Sequence, residues 1–419
     1  MPRIYTARTL VRGDAPPVEG GALLDVGGRV RAVGPLGDLK RRNPAAEVVD
    51  FGEALMVPLL VNAHTHLELT DYPRWAEAAG KTAEPEDFVA WILRLIEVKR
   101  GLDPEQFSHS LSRGIGQSIA AGTGAVGDIC SQLGSRTAYR DAALQGVLFL
   151  ETLGQDPELI LNAEKHLTRA LNGLWEGPLA LGLSPHSPYS ISAAYMSRVY
   201  GTCRTRGLRC TTHLAESVAE VEFLGGGRGD LVQRFYPAVG WGGFLPRAAH
   251  RNPVEYLAER GGLFPENLLV HGVQLTAPEI DLLGRQHMHL ALCPRSNDRL
   301  KVGTAPVARL LRAGVNLALG TDSRSSCDSL SIWDEMAFAH GWFEGVLDAP
   351  TLFRMGTQGG ADALGLGHEL GCLGVGKQTS FQVLRPERPP TLGELPDYLV
   401  APGRTAEIDG IVVRGLPVG

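Results

Sequence analysis

His64 and His66 stand two residues apart at the end of the apolar run PLLVNA. On a strand, residues i and i+2 project to the same side, so two imidazoles there can grip one ion. His213 ends the run LRCTT, His271 ends NLLV, and Asp322 ends VNLALGT. His64, His66, His213 and Asp322 together make an N₃O donor set. Such a set suits one divalent ion, zinc first, with iron as the next choice. An isolated His-x-His pair is a weak signal, usually a surface or packing feature. Its weight comes from recurrence, because polar groups close several separate apolar runs in one chain.

A bound divalent ion lowers the pKa of water toward neutrality, and the reaction then needs a proton carrier. Glu216 lies three residues past His213, where a strand turns into a loop. It is the candidate carrier, and its bland alternative is capping of the next helix. The strand-end position of His271 suits a group that orients the attacking water, or a fifth ligand. Asp322 can ligate and can also accept a proton.

These residues need a scaffold that brings strand ends together. Residues 58–367 alternate short apolar runs with helix-like segments, which argues for a parallel sheet under helices. EDFVAWILRLIEVKR puts Phe88, Trp91, Ile92, Leu95 and Ile96 on one helical face. Residues 189–206 and 306–313 also read as helices, the latter with Pro306 at its start and Gly314 at its stop. No GxGxxG follows the first strand, so an eight-fold barrel is favoured over a dinucleotide fold. In a (β/α)₈ barrel the C-terminal strand ends meet at one mouth, where active sites lie. Residues 1–57 and 368–419 carry strand-like runs such as GGALLDVGGRVRAVGP, TSFQVL and EIDGIVVRG. They predict a small β-sandwich domain made from both termini, with PERPPTLGELPD as a loop. The fold class expected is α/β, a distorted (β/α)₈ TIM barrel plus that sandwich.

The 419 residues carry a formal net charge of −6. No basic field draws in phosphates, which disfavours nucleic acid as a partner. No apolar run approaches the length that spans a bilayer. The six cysteines form no CxxC pair and read as reduced thiols of a cytoplasmic protein. The expected partner is a small-molecule substrate, with a homodimer left open. His287 and His289 form another His-x-His pair, but at the entry of a strand, where the bland reading wins. The glycine-rich stretch 365–376 has no Lys-Ser/Thr in P-loop spacing, and FLGGGRGD at 223–230 reads as a loop near the mouth. Glu97 lies opposite the apolar helix face and reads as solvated.

VNAHTHLELT, HLAES, VHGV and GTDSRSS resemble the first-, fifth-, sixth- and eighth-strand motifs of the amidohydrolase superfamily. The resemblance runs over nearly the whole chain. It implies His64, His66, His213 and Asp322 as ligands, Glu216 as proton shuttle and His271 as the group that orients hydroxide. Two-metal members place a carboxylated lysine at the end of the fourth strand. Here LALGLSPHSPYS has no lysine, which implies a single ion. SPHSPYSIS is similar to the substrate segment of deaminases of adenosine-like compounds, implying that His186 contacts substrate. HTHLE, HLAES, SPHSPYS and CPRSN together resemble most the deaminases that act on aminofutalosine. Arg295 is a candidate to face a substrate carboxylate. Departures include Pro58-Leu59-Leu60 in place of Pro-Gly, and Cys327 where relatives often carry Asn. The expected reaction is hydrolytic deamination of a 6-aminopurine-type nucleoside. Hydrolysis of another C–N or C–Cl bond is the alternative, and a barrel without catalysis is the third reading.

Overall fold

A computed structural model describes residues 1–245 and 248–418. Eight parallel strands run in chain order around the central sheet. They are β1 (Leu60–Thr65), β2 (Thr123–Cys130), β3 (Gln145–Thr152), β4 (Ala180–Pro185), β5 (Cys210–Leu214), β6 (Asn267–His271), β7 (His289–Leu292) and β8 (Asn316–Leu319). Alternate strand residues serve different neighbours, as a two-residue side-chain period requires. Val61, Ala63, Ala125, Ile129, Val147, Phe149, Leu268 and Val270 share one buried cluster inside the barrel. Leu60, Val126, Leu148, Leu150 and Leu269 join a second cluster that includes the surrounding helices.

The barrel closes through a short seam between its first and last strands. Asp322 N–H donates to the His64 carbonyl at 3.1 Å, and Thr65 Oγ1 donates to the Asp322 carbonyl at 3.1 Å. Below them Asn62 Nδ2 donates to Thr321 Oγ1 (2.8 Å), and Thr321 N–H returns to Asn62 Oδ1 (3.1 Å). Gly320 lies against this seam. A Cβ there would stand 2.7 Å from the His64 carbonyl oxygen, so a side chain is excluded.

Helix α1 spans Phe88–Arg100, with Asp87 accepting from Ala90 N–H at its start. Helix α2 covers Ala193–Arg206, shorter than the expected 189–206. Ser192 caps it, residues 188–190 form a turn, and Ile191 bridges Gly154. The third predicted helix spans Val307–Arg312, preceded by Pro306 and followed by Gly314 at φ +75°. Residues 223–226, expected as a loop, belong to the helix Val218–Gly226, which Gly227 ends at φ +58°.

The remaining strands form two sheets. The first orders Arg29–Pro35, Gly21–Val26, Arg3–Thr6 and Glu47–Asp50. Its leading hairpin turns at Gly27 and Gly28, both at positive φ, as a two-residue turn demands. The second joins both ends of the chain. Phe381–Leu384 pairs with Leu55–Pro58 on one side and with Ile408–Val413 on the other. Tyr5, Leu23, Met56, Phe381 and Val412 pack in one cluster spanning the two sheets. Two short helices, Leu36–Arg42 and Leu395–Leu399, were not expected, the latter beginning within the end of the Pro-rich segment read as a loop. Buried Gln382 ties the second sheet to the barrel. Its Nε2 donates to the Pro58 carbonyl (3.0 Å), and its Oε1 accepts from Trp333 Nε1 (3.1 Å). No helix among the described residues is long and apolar enough to cross a membrane.

Candidate metal centre and substrate cavity

β1 delivers His64 and His66, β5 delivers His213, and the segment after β8 delivers Asp322. One ligand atom from each lies within 4.8 Å of all the others, and all four residues are buried. Burial drives the His64 and His213 rings down to about 4, so both are neutral near pH 7 with lone pairs free to coordinate. His64 Nδ1 and Nε2 have no hydrogen-bond partner among the described residues, a costly arrangement that a coordinated ion would relieve.

Neighbouring groups aim the ligands. His213 Nδ1–H donates to the His186 carbonyl at 2.8 Å, which fixes the tautomer and leaves Nε2 as the free donor atom. Asp322 Oδ2 lies 2.8 Å from the hydroxyls of both Ser296 and Ser326. Oδ1 therefore faces inward, 3.6 Å from His64 Nε2 and 3.5 Å from His66 Nε2. Asp322 holds φ at +55° to do so. Asp128 on β2 accepts from Leu67 N–H (2.7 Å) and from Tyr139 Oη–H (2.8 Å), which anchors the backbone directly after His66.

Beside this cluster lie two further groups. His271 ends β6 at φ +72°, and its Nδ1 donates to Asn297 Oδ1 at 3.0 Å. Its Nε2 then faces Glu216, 3.6 Å from Oε1. Glu216 is buried, and burial, with Asp322 and Glu220 adding to it, holds its carboxyl well above the ordinary range. Glu216 does not cap the following helix. Ser217 accepts from Glu220 N–H, while Glu220 accepts from the N–H groups of Ala215 (2.9 Å) and Glu216 (3.1 Å). Glu220 thus occupies the turn, and Glu216 is left to face the cavity. The Ser217-x-x-Glu220 spacing carries that signal in the sequence.

The cavity itself joins His66, His186, His213, Glu216, His271 and Asp322. One wall is the apolar face of α1: Trp91, Ile92, Leu95 and Ile96. Phe235, Val239 and Trp241 form another. Residues 223–230, expected near the mouth, do not line it. Neither does Glu97, which is exposed and paired with Lys81 at 2.9 Å. His186 does line it, held by Ser187 Oγ and Ser190 Oγ, each 3.0 Å from Nδ1. Arg295 corrects the sequence expectation: it lies outside the cavity lining and pairs with Asp328. Pro294 opens the helix Pro294–Arg299, and that turn carries Arg295 away while Ser296 and Asn297 face the site. The cations at the cavity are Lys99 and Arg100, which the sequence reading passed over, together with the carboxylate of Glu151.

A barrel that converges three imidazoles and a carboxylate at one mouth, beside a free carboxyl group, is the scaffold of a metal-dependent hydrolase. The Amidohydrolase family model matches residues 55–418, and the chain belongs to that family. An aminodeoxyfutalosine deaminase of Deinococcus radiodurans is 32% identical over 376 residues, covering 87% of this chain and 86% of the relative. A 5-methylthioadenosine/S-adenosylhomocysteine deaminase of Moorella thermoacetica is 28% identical, covering 97% and 91%. The solved structure of Helicobacter pylori aminofutalosine deaminase superposes with a TM-score of 0.85 at 21% identity, covering all of both chains.

Proposed function

We propose that this protein hydrolytically deaminates a 6-aminopurine nucleoside, releasing ammonia, with an aminodeoxyfutalosine-type compound as the first substrate to test. The observation that carries the reading is the arrangement of Glu216 and His271. Both face the same cavity as the ligand cluster, 3.6 Å apart. The named relatives that cover most of the chain are deaminases of adenosine-like compounds.

In this reading His64, His66, His213 and Asp322 hold one divalent ion, and the N₃O set favours zinc. When bound, that ion supplies acidified water and Lewis-acid polarisation at the reacting carbon. Glu216, protonated in its buried setting, gives a proton to the ring nitrogen next to the C–NH₂ carbon. It then takes a proton from the attacking water and passes it to the leaving amine, and the remaining hydroxyl proton returns to Glu216 as the ring carbonyl forms and ammonia departs. His271, neutral because burial drives it to about 4, orients the attacking water through Nε2, its other nitrogen being held by Asn297. The apolar face of α1 covers the flat ring and excludes bulk water. His186 contacts the nucleoside from the β4 side.

The test combines metal analysis of purified protein with ammonia release from aminodeoxyfutalosine, S-adenosylhomocysteine, methylthioadenosine and adenosine. About one zinc or iron per chain is expected. Glu216→Gln should retain the metal and lose about 10³-fold in kcat, within the range of a removed proton carrier. Full activity in that variant would sink the mechanism. Metal without ammonia from any compound would transfer the site to hydrolysis of another C–N or C–Cl bond.

A further inference from the structure

The mechanism leaves one carboxylate of the cavity unexplained. Glu151 stands at the end of β3, its side chain only 9% exposed, and it lines the cavity. Among the described residues its carboxylate accepts no hydrogen bond. The nearest charged or basic atom facing it is His186 Nε2, at 4.0 Å. A carboxylate so little exposed that accepts no hydrogen bond from the protein is costly, so the cavity's occupant is the natural donor.

Its place in the cavity follows from a chain of contacts. The His213 ring, among the ligands, lies 4.6 Å between centroids from His186. His186 neighbours both His213 and Glu151, and Lys99 lines the same cavity. Glu216 and His271 are at the metal end. A purine ring with its amine at that end therefore points its glycosidic side toward His186 and Glu151.

Charge decides which donor fits. Lys99 is already held, donating to Ser131 Oγ at 3.1 Å and lying 3.7 Å from Glu68 Oε1. Glu68 in turn accepts from the N–H groups of Ser131 and Gln132, at 3.1 and 3.2 Å. Burial raises the Glu151 carboxyl above its ordinary range, and this fixed cation opposes that rise without hydrogen-bonding to it. A second cation from the ligand would face Lys99 and be repelled, whereas neutral hydroxyls would not. Two adjacent hydroxyls also match the two oxygens of one carboxylate.

We propose that Glu151 is a specificity-determining residue that accepts hydrogen bonds from the 2′- and 3′-hydroxyls of the nucleoside sugar. The inference rests on the proposed nucleoside deamination and goes beyond it by assigning the sugar end. Its experiment compares adenosine with 2′,3′-dideoxyadenosine as substrates. It also compares binding of the product nucleosides, inosine and 2′,3′-dideoxyinosine, by calorimetry, which needs no turnover. Wild type should prefer the diol compounds by about 10- to 100-fold, the worth of charge-assisted hydrogen bonds. Glu151→Gln and Glu151→Ala should erase most of that preference, chiefly through KM. The dideoxy compounds should change little, and metal content should hold. Equal losses on both sugars would reduce Glu151 to a support for His186 and overturn the assignment, as would a preference that survives in both variants. If deamination proceeds without any hydroxyl preference in wild type, the inference alone falls. If no nucleoside is bound or turned over, the deaminase reading falls with it.

Discussion

At the scale of single residues, the ligand cluster depends on groups that do not themselves belong to it. Ser296 and Ser326 occupy one oxygen of Asp322, and the His186 carbonyl sets the tautomer of His213. Close to this machinery lies Glu335, fully buried, with neither oxygen partnered among the described residues. Burial pushes its carboxyl up to about 8, against a smaller opposing pull from Arg295. A raised folded-state pKa means the folded protein keeps a proton that the unfolded chain releases. The associated stability is complete below the unfolded pKa of about 4.5, declines as pH rises, and is exhausted above about 8. Glu335→Gln should therefore gain stability over wild type progressively from pH 5 to pH 8, then level off. Urea midpoints at pH 5, 6.5 and 8 read this directly. A constant difference across that range would show that Glu335 does not titrate there. The ligands were legible in sequence because each closes an apolar run. Glu151 was not, because FLETLG holds one carboxylate with no spacing partner to mark it. Arg295 misled because Pro294 begins a helix, and one turn of helix decides which side chain of the CPRSN segment faces inward.

At the scale of elements, the barrel was readable from its buried parallel strands, but its seam was not. Closure depends on which side chains at the two ends of the barrel meet, and neither run carries that in its own periodicity. Gly320 shows the constraint in one atom. Its missing Cβ would stand 2.7 Å from the His64 carbonyl oxygen and 2.8 Å from His64 Cβ. Gly320→Ala should push β1 and β8 apart exactly where His64 and Asp322 must share an ion. The expected result is a metal affinity about 10- to 100-fold weaker, measured by competition with a chelator, as for other lost supports of a ligand. Stability should fall by roughly 1–3 kcal/mol from the overpacking. Unchanged affinity would mean the seam is more compliant than its contacts imply. Helix α1 offers the complementary lesson. Its apolar face was legible, but that face divides its labour, with Phe88 buried in the core and Leu95 and Ile96 facing the cavity. Amphipathic spacing reports an apolar stripe and is silent about whether protein or ligand covers it.

At the scale of the whole molecule, the termini are joined through one sheet and fastened to the barrel by Gln382. Replacing it with leucine would leave the Trp333 indole N–H and the Pro58 carbonyl buried without partners. Gln382→Leu should cost about 2–6 kcal/mol, one to three for each stranded group, and lower the denaturation midpoint without altering the ligand set. A loss below about 0.5 kcal/mol, the scale of ordinary surface substitutions, would show that the clamp is redundant. The strand pairing of the two ends was foreseeable from their shared texture. The clamp was not, since a glutamine in TSFQVL has the same appearance whether it faces water or an indole.

The seam has a consequence for the order in which this molecule can be made. His64 lies in the first strand of the barrel and His66 directly after it, and Asp322 follows the last. During synthesis the imidazoles of β1 are exposed long before their carboxylate partner exists, and the fourth ligand arrives only as the barrel shuts. A growing chain can offer an ion two or three imidazoles but never the finished cage. On the proposed ligand set, loading belongs to the closed barrel, and an ion seated between His64 and Asp322 would act as a rivet that keeps the ring from reopening.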